Sequence, residues 1–247
     1  MEKKQEENNQ NKYYLPYYQI PIEKFFQFGL SIDCVVFGYH EGRLQILLIR
    51  RGAEPFKGTL ALPGDLVYPN EDIEIAARRV LHDLTAIQNL YLEQTHVYGQ
   101  VDRHPIGRVI TTGYYALINS ENYDPKASAW ADSVIWMDVN KVPQLAFDHN
   151  SILSDALDLL RFTVRHRPVG FELLPRKFTL GQLRQLYEAL LNEKYDKANF
   201  RKRILSKKLL KDCEEYEKNV PHRPSRLYQF DKEIYDQLKS KGFTFEL

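Results

Sequence analysis

LPGDLVYPNEDIEIAARRVLHDLTAI, residues 62–87, begins in a Pro–Gly turn and passes into a helical pattern. Asn70 is placed to cap that helix, and Glu71, Asp72 and Glu74 fall in its expected first turn, where the helix dipole favours acids. Ile73, Ala77, Val80 and Leu84 follow at spacings of 4, 3 and 4, which predicts one buried face. A single helix of this kind needs a sheet to pack on, and the flanking sequence supplies strands.

Upstream, the run FFQFGLSIDCVVFGYHEGRLQILLIRR (25–51) holds two apolar, β-branched segments around HEGR, with Gly42 suited to the turn. Downstream, YLEQTHVYGQV, GRVITTGYYALI and SVIWMDV read as further strands. HNSILSDALDLLRFTVRH is a second amphipathic helix, with Ile152, Ala156, Leu159, Leu160 and Thr163 at helical spacing. RPVGFELLP interrupts the pattern and places a boundary near residue 170.

After that boundary the character changes. Thr179 can cap a helix TLGQLRQLYEALL, and Asp196 can cap a second, KANFRKRILSKKLL, whose apolar side holds Phe200 and Ile204. KDCEEYEKNVPHRPS reads as loop and RLYQF as a strand. Helix, short turn, basic helix and a β extension form the winged helix-turn-helix pattern. From Glu193 to Lys211 there are eight Lys or Arg against two acids. Such a helix suits the major groove, where Arg and Lys reach guanine and Asn pairs with adenine. Lys197, Asn199, Arg201, Lys202, Arg203 and Lys207 are the candidate DNA contacts on it. Lys177 and Thr179 suit phosphate at the first helix, and Arg226 and Tyr228 would sit on the wing. A solvated charged face is the alternative reading of the same run.

Charge and composition are consistent with this division. The chain of 247 residues carries a net +1, split as +5 from Phe171 onward and −4 before it. No stretch of about 18 uncharged apolar residues indicates a membrane span. The polar start, MEKKQEENNQNKYY, lacks the apolar core of an export signal, so a cytoplasmic location is expected. Cys34 and Cys213 provide neither a disulfide framework nor a metal cluster.

Aligned on Glu71 and Arg79, the opening stretch resembles the Nudix hydrolase signature, G-x5-E-x7-R-E-U-x-E-E-x-G-U with U aliphatic. The departures matter. Asp65 stands at the signature glycine, Val80 at the glutamate after the arginine, Asp83 and Leu84 at the adjacent acids, and Ala86 at the late glycine. That signature binds Mg²⁺ through carboxylates one turn apart, and Val80 and Leu84 occupy such a pair. Hydrolysis by the family mechanism is therefore not expected, and neither a catalytic residue, a metal nor a cofactor is assigned.

SIDCVVFGY, LLIRR, LALPG, VDRHPIGR and the terminal helix pair together resemble the Nudix-related transcriptional regulators. The resemblance implies an α+β fold: an α/β/α Nudix-like sandwich with a mixed sheet, then a winged helix-turn-helix domain. The expected divisions are a polar tail over 1–24, a ligand-sensing domain over 25–150, a linker helix over 151–170 and a DNA-binding domain over 171–247. It further implies a homodimeric repressor that binds operator DNA and a small effector. Because RHPIGR places His104 and Ile106 where the family often has an acid and an arginine, the chain is expected in the arabinose-responsive (AraR-type) branch, sensing a pentose such as L-arabinose. Alternatives are an ADP-ribose-responsive regulator of NAD metabolism and a divergent Mg²⁺-dependent hydrolase. Ser31, Asp33, Asp65, Asp102 and Arg103 are the candidate ligand contacts, since carboxylates and donors around a small cavity suit sugar hydroxyls. Ser31 and Asp33 share one side of a strand. Structural roles stand beside these, such as an Arg103 bridge to Asp102 or Glu93.

Overall fold

The computed structural model describes residues 27–247 apart from 89, 91, 121, 122, 222, 242, 244, 246 and 247. The tail expected over 1–24 lies outside the described residues, as do the first two residues of the expected sensing domain. β1 (Gly29–His40) and β2 (Arg43–Arg51) form a hairpin through Glu41 and Gly42, both at positive φ, as a two-residue turn requires. β3 (Leu60–Ala61), β4 (Gly64–Leu66), β5 (Glu93–Tyr98), β6 (Val109–Asn119) and β7 (Ala131–Asp138) complete a seven-stranded sheet of order β3-β2-β1-β6-β5. β4 adds to β1 and β7 to β2. β1 and β6 run parallel while the other pairings are antiparallel, so the sheet is mixed.

Alternation along β1 divides the core. Ile32, Cys34 and Val36 face α1 (Ile73–Thr85), where Ala76, Ala77 and Leu81 pack on them. Val35 and Phe37 face the other way, onto Ile152, Ala156, Leu160 and Val164 of α2 (His149–His166). The result is the α/β/α sandwich. The helical stripe of α1 departs from expectation at its start. The helix begins at Ile73 with Asp72 at the cap position, so Asn70 does not cap it and Glu71 precedes it. Ile73 is exposed, and Ala76 and Leu81 widen the buried side instead.

Past a short 3₁₀ turn at Val169–Leu173 come β8 (Phe178–Thr179), α3 (Leu180–Leu191), α4 (Lys197–Ser206), β9 (Leu210–Tyr216), β10 (Arg226–Phe230) and α5 (Lys232–Ser240). Thr179 and Gln182 form a reciprocal capping box on α3, and Asp196 accepts from the Asn199 amide at the start of α4. KDCEEYEKNVPHRPS is not all loop, because its first half is β9, paired antiparallel with β10. This strand is held by ladder hydrogen bonds rather than by an apolar face, so hydrophobic periodicity does not reveal it. α5, capped by Asp231, was not anticipated.

Candidate ligand pocket and nucleic-acid interface

Gly64 decides the geometry near the centre of the sheet. A methyl group there would collide with the Asp33 carboxylate and the Ile32 carbonyl, so only glycine lets β4 close on β1 beside Asp33. Gly52 does the same beside Trp130, whose carbonyl accepts from the Gly52 amide at 2.9 Å. Between these contacts opens a cavity of about 340 Å³. Ser31, Asp33, Asp65 and Arg103 line it, together with Arg51, His104, Trp130, Phe147 and His149.

Asp33 is buried and takes three side-chain donors. Thr111 donates from Oγ1 at 2.8 Å, Arg103 from a terminal nitrogen at 3.4 Å, and His149 Nε2 lies 3.3 Å from Oδ1. Burial alone would push the Asp33 carboxyl up, but the His149 ring, the Arg103 guanidinium and the Thr111 hydroxyl together hold it below the ordinary carboxylate range. Arg103 pairs with Asp148 rather than with Asp102 or Glu93. Glu93 instead accepts from Tyr115 and Arg167. Asp65 accepts from the Trp130 indole N–H at 3.1 Å.

Asp102 departs from expectation. It is exposed in the turn before β6 and does not line the cavity, whereas its neighbour Arg103 is buried and does. Arg51 was missed. Its guanidinium lies between the Trp130 and Phe147 rings, 4.6 and 4.9 Å from their centroids, and Nε donates to the Pro55 carbonyl. Among the described residues no carboxylate lies within ion-pair distance of it. In sequence, Arg51 is only the last letter of a strand.

The Nudix-like helix does not enter this cavity. Val80 and Leu84 are buried against Ile49, Ala61, Ala131 and Ala146, so the residues at two metal-ligating positions do not fit a hard cation. Glu71 is engaged by Arg79, with Nε donating to Oε2 at 2.9 Å, and Arg79 also lies over the Tyr68 ring.

On α4, Lys197, Asn199, Arg201, Lys202 and Arg203 are exposed around the buried Phe200 and Ile204, and Lys207 is half-buried at the end. Two candidate contacts are placed differently. Tyr228 is buried in the small domain's core, and Thr179 is buried with its hydroxyl used in the capping box. Lys177 and Arg226 are exposed but paired with Glu215 and Asp212 of β9, at 2.7 Å in each case.

Two family models match this chain: the NUDIX domain over residues 27–158 and the NrtR DNA-binding winged helix domain over residues 170–230. The chain belongs to the Nudix-related transcriptional regulators. The ADPR responsive transcriptional repressor NtrR of Acinetobacter baylyi is 33% identical to this regulator over 211 residues, 84% of each chain. The crystal structure of Shewanella oneidensis NrtR complexed with a 27mer DNA matches with a TM-score of 0.70 at 27% identity, over 87% of this chain and 97% of that one. The NUDIX domain of the same protein, crystallised with ADP ribose, matches at 31% identity and a TM-score of 0.52, over 60% of this regulator and 96% of that domain.

These relatives overturn the arabinose-responsive branch and the pentose effector expected from RHPIGR. The physical reason is visible in the cavity. Positions 104 and 106 hold His and Ile, but Arg51 on β2 and Arg103 bring positive charge to the same cavity. No described helix is long and apolar enough to cross a membrane.

Proposed function

We propose that this chain is a cytoplasmic, homodimeric DNA-binding repressor whose Nudix-like domain senses ADP-ribose and releases operator DNA when it binds. The observation that carries the reading is the likeness over 84% of the chain to an ADPR-responsive repressor, across both domains. The cavity chemistry is in keeping with that ligand. Arg51, with no carboxylate in ion-pair distance among the described residues, offers donors for a phosphate, Arg103 lines the same cavity, and the Asp65 carboxylate can accept from a ribose hydroxyl. Binding proceeds without cutting, because Val80 and Leu84 replace metal-ligating carboxylates and the attacking water lacks an activating metal.

The test is a gel shift with a duplex selected from a random pool by the full chain, with and without ADP-ribose. ADP-ribose is expected to weaken retention, and L-arabinose to leave it unchanged. Calorimetry should show ADP-ribose binding that falls by tenfold or more in Arg51→Ala, a change of about 1.4 kcal/mol. Arg201→Ala with Arg203→Ala should abolish retention while sparing ADP-ribose binding. Mg²⁺-dependent turnover of ADP-ribose, or retention indifferent to it, would overturn the reading.

A further inference from the structure

Asp148 stands at the cap position of α2, where an aspartate usually accepts from the first-turn amides, yet its side chain makes no cap hydrogen bond. It grips Arg103 instead, taking Nε at 2.9 Å and a terminal nitrogen at 2.7 Å. The next residue, His149, accepts from the Leu62 amide at Nδ1, 2.9 Å away, which leaves its proton on Nε2 toward Asp33. The first turn of α2 is therefore built into the wall of the cavity.

The last turn of α2 meets the DNA-binding half. Arg165 pairs with Glu193, which also accepts from the Tyr195 hydroxyl at 2.8 Å, and both partners lie in the turn between α3 and α4. The two ends are about 27 Å apart, from 18 residues at 1.5 Å each. Between them Leu160 and Val164 share a core with Leu183 and Leu186 of α3, so a displacement of α2 carries α3 with it.

We propose that the Arg103–Asp148 ion pair is a release catch: a phosphate of the bound ligand takes Arg103 from Asp148, and α2 passes the change to the α3–α4 turn. This rests on the reading that the cavity binds ADP-ribose. Arg103 is 3% exposed and already satisfied, so a phosphate gains its fork only by exchange with a carboxylate of matching geometry. Asp148, once released, is free to cap α2, which offsets the loss of the pair. The two partners thus have two discrete arrangements, which a coupling element requires.

The experiment compares the full-length wild type with Asp148→Asn and Glu193→Gln, reading DNA affinity by anisotropy and ADP-ribose affinity by calorimetry. Asn keeps the volume and capping ability of Asp but carries no charge. If Asp148→Asn melts early, Asp148→Ser replaces it. In wild type ADP-ribose is expected to weaken DNA binding on the order of tenfold. In Asp148→Asn ligand binding should be as tight or tighter, DNA binding without ligand several-fold weaker, and the ligand response largely gone. Glu193→Gln should bind ADP-ribose as wild type does and lose the response. A wild-type response in Asp148→Asn would overturn the catch. If wild type ignores ADP-ribose, the effector reading fails by itself, and the catch is judged by the ligand-free DNA affinity of Asp148→Asn: a several-fold loss supports it and no change overturns it.

Discussion

At the scale of single residues, Asp33 is a buried carboxylate that draws side-chain donors from three other segments. Its carboxylate is buried against the Arg103 guanidinium, the His149 ring N–H and the Thr111 hydroxyl, and those donors hold its pKa below the ordinary value despite burial. A depressed folded pKa stabilises the fold above the unfolded value, and that stability is lost as pH falls through the folded value. The denaturation midpoint should therefore drop on acidification below about pH 4. Asp33→Asn should cost on the order of 3–5 kcal/mol at pH 7, because it leaves buried donors facing an uncharged group. It should also flatten that acid dependence. Equilibrium denaturation at pH 7 and across the acid range checks both, and an acid limb unchanged in Asp33→Asn would count against this role. Ser31 and Asp33 were legible as a pair, since period-2 alternation puts them on one side of a strand. The donors were not, because Arg103, Thr111 and His149 come from three other segments.

At the scale of elements, local signals were read best where they act within one turn. Thr179 and Asp196 cap α3 and α4 as expected, and Phe200 and Ile204 anchor α4 by spacing alone. The strand β9 reads as loop in sequence because it carries Asp212, Glu214 and Glu215 with little apolar face. Those acids have a consequence for DNA binding. Glu215 is held below its ordinary pKa by Lys177, so it is ionised and neutralises a lysine suited to phosphate. Glu215→Gln should free Lys177, tighten DNA binding several-fold and steepen the salt slope by roughly one. Anisotropy titrations at low and moderate salt measure this, and an unchanged slope would mean that Lys177 does not reach the backbone.

At the scale of the whole molecule, the sensing and DNA-binding halves are not beads on a linker. One cluster of buried side chains runs from Phe37 and Leu48 in the sheet through Ala156 and Leu160 of α2 to Leu186, Tyr187 and Phe200. Shared burial makes the halves mutually dependent, so the full chain should unfold in one transition, with calorimetry and circular dichroism coincident. A chain ended at residue 170 should melt lower and aggregate, since it leaves the α2 face uncovered. Two well-separated transitions would show the halves to be independent. The amino-acid sequence by itself determined most of the elements, β9 and α5 excepted, together with the helix pair and the loss of a metal-binding turn at Val80 and Leu84. Caps, spacing and side-chain type act over a few residues and need no partner. The tertiary structure alone decided the charge of the cavity and the contact of α2, which helps wall it, with the turn between α3 and α4. Arg51, Arg103 and Asp148 lie on three segments far apart in the chain, and their charges acquire a common site only when the sheet and α2 pack together.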